Sequence, residues 1–230
     1  MNGDSIEIST KGLNKTLSFF RQKKVINIII IIFLLSVVSF SSWIRTQNIP
    51  DLKDVTTNEY TLGPDLDPFL FLRVAKEIVE FGAPLNPDNM RYLGMSKPYQ
   101  NFVPFTIAYL YKFLKIFSED ITIEYVAIIF PVIFFGLSII TFFFFVREIF
   151  SKKSDAQKNW IAILATIMYA VIPVLQHRTT AGIPELESAG LFFFWLSFFF
   201  YLKAFNSNGK TFKIERKYLF ALLSGISTVF

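Results

Sequence analysis

Long runs without charge alternate with charged segments along this chain of 230 residues. No charged residue occurs within 25–44, and this length matches the roughly 20 apolar residues with which an α-helix crosses a bilayer. No small-residue cleavage site follows the run, so it predicts a retained helix rather than a signal peptide. Three further runs and the beginning of another predict a polytopic membrane protein.

The pattern divides the chain into alternating membrane helices and loops. The predicted segments are a cytoplasmic N-terminus at 1–24, a first transmembrane helix at 25–44, a first external loop at 45–124, a second helix at 125–146, a third at 159–177, a second external loop at 178–187, a fourth helix at 188–205 and the start of a fifth at 218–230. The last run is too short to span a bilayer, so we expect the chain to be the front part of a longer protein.

Composition agrees with an all-α membrane protein. Hydrophobic residues make up 53% of the chain, Phe alone occurs 29 times, and the mean hydropathy is +0.45. Soluble domains of this size are less apolar. The absence of cysteine excludes a disulfide framework and a thiolate metal site.

The net charge of +5 is explained by topology rather than by nucleic-acid binding. Five Lys or Arg residues occur in 1–24, four in 147–158 and five in 203–217. These segments alternate with 45–124 and 178–187, which the positive-inside rule therefore places together on the opposite, external face.

The first external loop contains two predicted amphipathic helices, at 68–81 and 105–117, which could lie along the headgroup layer. Asp65 and Asp67 directly precede the first of them. Asp67 comes before Pro68, which favours an extended backbone at Asp67 and a first helical position at Pro68. Asp67 is thus either a helix N-cap alone or also a ligand, and Asp65 lies two residues before it.

The second external loop also carries two acids with one residue between them, Glu185 and Glu187. Gly182 and Pro184 argue against a regular helix here, and in an extended segment both carboxylates would point the same way and could hold one ion. In an α-helix the same spacing would separate them by about 200°. The alternative is that both acids only interact favourably with the dipole of the following helix.

Two other polar residues of this loop are candidates for function. Arg178 could pair with a carboxylate or with a phosphate, or it could set topology and reach the interface. His177 is the sole histidine, and a packing role is the simpler interpretation.

Both acidic segments resemble motifs of the catalytic subunit of oligosaccharyltransferase. The stretch 65–73, Asp-Leu-Asp-Pro-Phe-Leu-Phe-Leu-Arg, looks like its first acidic motif. The stretch 178–187, Arg-Thr-Thr-Ala-Gly-Ile-Pro-Glu-Leu-Glu, resembles the second, with an Arg, an Ala-Gly pair and acid-x-acid at matching spacing. The second motif is the more specific, although the family more often has Asp where Glu185 stands. The resemblance runs over about 25–230.

The resemblance implies a glycosyltransferase of GT-C type, similar to archaeal single-subunit enzymes of the plasma membrane, with its catalytic loops on the external face. Such an enzyme moves an oligosaccharide from a polyprenyl (dolichyl) phosphate or pyrophosphate to asparagine in Asn-x-Ser/Thr. It implies Asp67, Glu185 and Glu187 as catalytic residues and ligands of Mn²⁺ or Mg²⁺, with substrate roles for Arg178 and Asp65. Because the family's later acidic loop and Trp-Trp-Asp motif do not occur here, we expect these 230 residues alone to be inactive.

Two alternatives remain open. Another polyprenyl-phosphate-dependent glycosyltransferase of GT-C architecture would share the first acidic motif without needing the second. A transporter or non-catalytic membrane protein would carry acids inside its membrane helices, and here the apolar runs are free of Asp and Glu.

Overall fold

A computed structural model describes residues 23–90, 101–207, 210–211 and 214–229. The predicted cytoplasmic segment 1–24 lies almost entirely outside these residues. Within them the chain forms α1 (Lys23–Arg45), a short 3-10 helix (Ile49–Asp51), α2 (Leu66–Phe81), α3 (Phe102–Lys115), α4 (Ile123–Ile149), α5 (Asp155–Val171), α6 (Pro173–Gln176), α7 (Leu186–Asn206), two antiparallel two-residue strands, β1 (Lys210–Thr211) and β2 (Ile214–Glu215), and α8 (Arg216–Ser227).

Three of the described helical segments are long and apolar enough to cross a membrane. They cover Lys24–Asp51, Ile123–Ile149 and Leu186–Asn206, and so include α1, α4 and α7. Each contains one of the predicted transmembrane runs with a few extra residues at its ends. The fold class is therefore the predicted one, an all-α polytopic membrane protein.

The helix over the predicted third span has different ends from those expected. α5 begins early, at Asp155, because Ser154 and Gln157 form a capping box at its N-terminus. It ends at Val171, since Pro173 has no backbone N–H and biases Ile172 away from helical geometry. The predicted run 159–177 is therefore interrupted before its last turn.

α4 lies at the centre of the bundle, and α1, α5 and α7 pack against it. A cluster of rings joins three of these helices. The ring of Phe142 lies 4.5 Å from that of Tyr169 and 4.7 Å from that of Trp195, centroid to centroid. Such aromatic pairs add to the energy of apolar burial.

The two helices of the outer loop pack against the N-terminal half of α4. α2 begins two residues before the predicted start, and α3 begins three residues before it. Val74 on α2, Ile107 on α3 and Val126 on α4 are fully buried in a common core. This packing fixes the beginning of α2, where the first acidic motif lies.

Candidate active site

Backbone hydrogen bonds fasten the loop 178–187 to three other parts of the chain. The amide of Gly63 donates to the carbonyl of Gly182 at 2.8 Å, which joins the loop to the segment before α2. The amide of Gly182 donates to the carbonyl of Ile128 on α4 at 3.0 Å, and that of Ala181 donates to the carbonyl of Arg45 at 2.9 Å. The two acidic motifs are therefore held at the same end of the bundle.

Glycine is required at Gly182 by both conformation and space. Its φ of 89° lies in the left-handed region, where any residue other than glycine is strained by its side chain. A Cβ there would lie 2.5 Å from Cδ1 of Leu52. The close approach to Gly63 depends on this glycine.

Asp65 is the N-cap of α2, which corrects the assignment of that role to Asp67. The backbone of Asp65 is extended, and its Oδ1 accepts a hydrogen bond from the amide of Leu66 at 2.7 Å. Leu66 is the first helical residue, so Pro68 occupies the third position rather than the first. Of the two acids, the helix uses the earlier one as its cap because the extended backbone ends there.

Arg178 connects the two acidic motifs. Its Nη1 lies 3.1 Å from Oε1 of Glu185 and 3.7 Å from Oδ2 of Asp65. Asp65 and Glu185 come from segments 120 positions apart, so this shared cation is a product of the fold. The guanidinium offsets part of the negative charge that the two acids bring together.

Glu185 is buried and Glu187 is exposed, although the two are only two positions apart. Glu185 has extended backbone, whereas Glu187 lies in the first turn of α7. From the sequence we considered a segment that is extended at both acids and one that is helical at both. The structure has neither, because the backbone is extended at Glu185 and helical at Glu187. Glu187 in a first helical turn also interacts favourably with the helix dipole.

The two glutamates interact in spite of their different exposure. Burial, with a smaller contribution from the nearby charge of Glu187, raises the pKa of Glu185 to about 7 from its usual 4.5. Arg178 acts in the opposite direction and does not outweigh the burial. A partly protonated, desolvated carboxyl beside a second carboxylate is an arrangement that a bound cation would stabilise.

Asp67 is exposed in the first turn of α2, and the ion pair with Arg178 is made by Asp65. Among the residues that the structure describes, no group of three or more Asp, Glu or His side chains is arranged as a metal site. The metal-ligand roles of Asp67, Glu185 and Glu187 stay predictions. His177 is exposed.

A buried arginine supports the loop from the side of α1. Arg45 is 1% exposed, and its Nε donates to Oγ1 of Thr179 at 2.7 Å. Its Nη1 donates to Oγ of Ser41 at 2.7 Å and to the carbonyl of Ala170 at 3.1 Å, while the guanidinium lies 3.9 Å over the ring of Phe135. Arg45 thus ties the ends of α1 and α5 to the loop that carries Arg178 and Glu185.

An apolar cavity of about 440 Å³ opens beside the acidic cluster. Arg178 and Glu187 line one part of it, and the rest is lined by Val174, Leu175, Gly190, Leu191 and Phe194. The cavity therefore combines a long apolar wall with a charged end, as a site for an amphipathic molecule does.

Two residues of this region, Arg45 and Asp88, were not among those predicted from the sequence. Arg45 follows an apolar run and was counted as the first loop residue, a position at which basic residues usually face the interface. Asp88 is buried and accepts hydrogen bonds from both terminal nitrogens of Arg73, at 3.0 and 2.7 Å. No local pattern marks either partnership, because both depend on tertiary contacts.

The fold and the site together define a class: a polytopic α-helical membrane protein with an acidic cluster at one end of its bundle. The chain matches the family described as oligosaccharyl transferase STT3, N-terminal, over residues 53–230. This match covers well over half of the chain, so the chain belongs to the STT3 family, which has the GT-C membrane fold. A search of curated proteins found no match.

Membership confirms the resemblance noted from the two motifs. Members of this family are oligosaccharyltransferases, which use a lipid-linked oligosaccharide as donor and a protein as acceptor. The chain is accordingly an integral membrane protein of the glycosyltransferase type.

Proposed function

We propose that this protein transfers an oligosaccharide from a polyprenyl phosphate or pyrophosphate, dolichyl in an archaeal enzyme, to asparagine in Asn-x-Ser/Thr. We also propose that the reaction depends on Mn²⁺ or Mg²⁺ held by Asp67, Glu185 and Glu187. The observation that carries the proposal is the burial of Glu185 beside Glu187 and Arg178, at the mouth of an apolar cavity. The external face of an archaeal plasma membrane is the proposed location.

The available donor atoms suit a divalent metal ion. Carboxylate oxygens are the hard ligands that Mg²⁺ and Mn²⁺ prefer. Burial, followed by the nearby charge of Glu187, raises the pKa of Glu185, and a bound cation would offset both effects. A bound divalent cation would supply electrostatic stabilisation of the departing phosphate oxygens.

The two aspartates of the first motif have different proposed roles. Asp65 holds Arg178 and caps α2, so it positions the site. Asp67 is exposed in the first turn of that helix. We propose that Asp67 is the metal ligand of the two and that it accepts a hydrogen bond from the side-chain amide of the substrate asparagine. An amide nitrogen is a poor nucleophile because its lone pair is delocalised, and carboxylates that accept its N–H groups would weaken that conjugation.

The cavity beside the cluster is the proposed site of the carrier lipid. Its apolar wall suits the first isoprene units, and Arg178 at its charged end suits the phosphate. Glu187 lines the same cavity, which would put this proposed ligand next to the bond that breaks.

The test is transfer of a lipid-linked oligosaccharide to an Asn-x-Thr peptide by the complete enzyme. Asp67→Asn, Glu185→Gln and Glu187→Gln keep the side-chain shape and remove the charge. Each should lower the rate by at least about 100-fold, the range expected for loss of an electrostatic group at a reacting centre. Glu119→Gln, an exposed acid of the same outer loop, is the matched control and should retain the rate. Full activity of the three variants contradicts the proposal.

A further inference from the structure

The end of the bundle opposite the acidic site carries two adjoining grooves. One, of about 460 Å³, lies between α1, α4 and α5, and the other, of about 290 Å³, lies between α4, α5 and α7. Both are lined by Phe144, Arg147 and Lys158. These two basic residues therefore lie where the grooves meet, at the C-terminal end of α4 and the N-terminal end of α5.

Arg147 has no carboxylate partner among the residues that the structure describes. Its side chain is half-buried, its Nε is buried without a hydrogen-bond partner there, and its guanidinium lies 5.7 Å from the ring centre of Phe143. A buried donor without an acceptor is costly, so the position favours an anion that can accept from it.

The neighbouring acids are engaged by other cations. Oε2 of Glu148 lies 3.3 Å from Nζ of Lys203, and its Oε1 accepts from Asn206 at 2.9 Å. Oδ1 of Asp155 lies 2.6 Å from Nζ of Lys158. Counting only the residues that the structure describes, the two grooves have three basic and two acidic lining residues, which leaves one excess positive charge at Arg147.

The larger groove continues from these charges along an apolar wall. Ile30, Ile31 and Leu34 of α1 and Phe143 of α4 line it. Ile31 is 56% exposed, so this wall opens toward the surface that surrounds the bundle. A phosphate without an acyl chain would make no use of that wall.

We propose that these grooves bind an anionic phospholipid, with its phosphodiester accepting hydrogen bonds from Arg147 and Lys158 and one acyl chain against Ile30, Ile31 and Leu34. Basic pockets between membrane helices bind acidic headgroups in this way. The site lies at the opposite end of the bundle from Glu185 and is independent of the proposed transfer reaction. Its occupant is a structural lipid of the bilayer.

The test is native mass spectrometry of the complete enzyme titrated with phosphatidylglycerol. Arg147→Gln should weaken binding about fivefold, the loss that corresponds to one basic residue at an anionic lipid surface. Lys153→Gln is the matched control, because Lys153 is exposed in the same connection between α4 and α5 and lines neither groove. It should bind as the wild type does. Arg147→Lys keeps the charge and should bind within about twofold of wild type.

Two further measurements distinguish an anionic phospholipid from an uncharged lipid and from a free phosphate. Phosphatidylcholine, which has no net charge, should bind at least about fivefold more weakly than phosphatidylglycerol. Glycerol phosphate, which has the phosphate without the acyl chains, should not displace the lipid. Any of four results would overturn the proposal. Two concern the variants: equal binding by Arg147→Gln and the wild type, or a loss in Lys153→Gln equal to that in Arg147→Gln. Two concern the ligands: equal binding of the two lipids, or displacement of the lipid by glycerol phosphate.

Discussion

Nη1 of Arg178 lies 3.1 Å from Oε1 of Glu185, yet the pKa of this carboxyl is raised rather than lowered. Burial, together with the nearby charge of Glu187, outweighs the attraction of the guanidinium. The ion pair therefore compensates the charge of the site only in part. The stability of the folded protein should therefore depend on pH through Glu185.

We expect the metal-free protein to lose stability as pH rises from about 4.5 to about 7. In that window the folded protein retains a proton on Glu185 that the unfolded chain has released, so raising the pH favours unfolding through this group. Glu185→Gln has no such proton and should show a flatter profile. The measurement is the melting temperature in detergent and chelator across the window. Glu119→Gln, a change at an exposed acid, should keep the wild-type slope, and a wild-type slope in Glu185→Gln contradicts the assignment.

Arg45→Met should destabilise the protein by about 1–3 kcal/mol, the cost of leaving buried polar groups without partners. The change removes the donor to Thr179 and to the carbonyl of Ala170. Thermal unfolding of Arg45→Met, Thr179→Val and the double variant gives the coupling between the two side chains. A coupling of about 0.5–3 kcal/mol is expected for directly bonded residues. Strict additivity would show that Arg45 does not support the loop through Thr179.

Gly182→Ala should destabilise the loop 178–187 by at least about 1–2 kcal/mol, since its backbone is left-handed. The clash with Leu52 adds to this cost, so Gly182→Ala should cost less in a Leu52→Ala background than in the wild type, although the conformational term remains and Leu52→Ala itself loses core packing. Gly225→Ala is the control, because a Cβ there meets no atom within 4 Å and lies inside a helix. Melting temperatures of the wild type, the three single variants and the double variant test this, and an unchanged Gly182→Ala protein speaks against the loop geometry.

Asp88→Asn should loosen the segment that follows α2. Asp88 binds both terminal nitrogens of Arg73, and these hydrogen bonds raise the pKa of Arg73. Oδ1 of Asp88 also accepts from the amide of Met90, and Glu77 accepts from that of Leu85. Hydrogen exchange at these two amides should accelerate about tenfold for each 1.4 kcal/mol lost from the free energy of local opening. Asp120→Asn changes an exposed acid and is the control, so both amides should stay protected in it. Unchanged protection in Asp88→Asn would show that the contact between Asp88 and Arg73 does not hold the segment.

The membrane helices could be predicted because their signal is local. A charge-free run such as 25–44 is expected to be an α-helix in a bilayer, because a helix satisfies its backbone hydrogen bonds within the segment. Their ends were less predictable. Ser154 extended α5 at one end, and Pro173 interrupted the span at the other.

The site could be predicted only in its parts. The two acid-x-acid segments were recognised, and so was their placement at a shared end of the bundle. The contact of Arg178 with Asp65 could not be predicted, because it depends on the pairing of Gly63 with Gly182 across the fold. The choice of Asp65 as helix cap was missed since both aspartates are suitable caps and only the backbone conformation separates them.

If the two acidic motifs bind one divalent cation, Mn²⁺ should bind to the complete enzyme through Asp67, Glu185 and Glu187. Electron paramagnetic resonance of free Mn²⁺ gives the Kd for the wild type and for Asp67→Asn, Glu185→Gln and Glu187→Gln. We predict a bound ion that chelator removes, with affinity at least about tenfold weaker in each variant and unchanged in Glu119→Gln. Wild-type affinity in all three variants, or no binding by the wild type, would show that the two motifs do not hold such an ion.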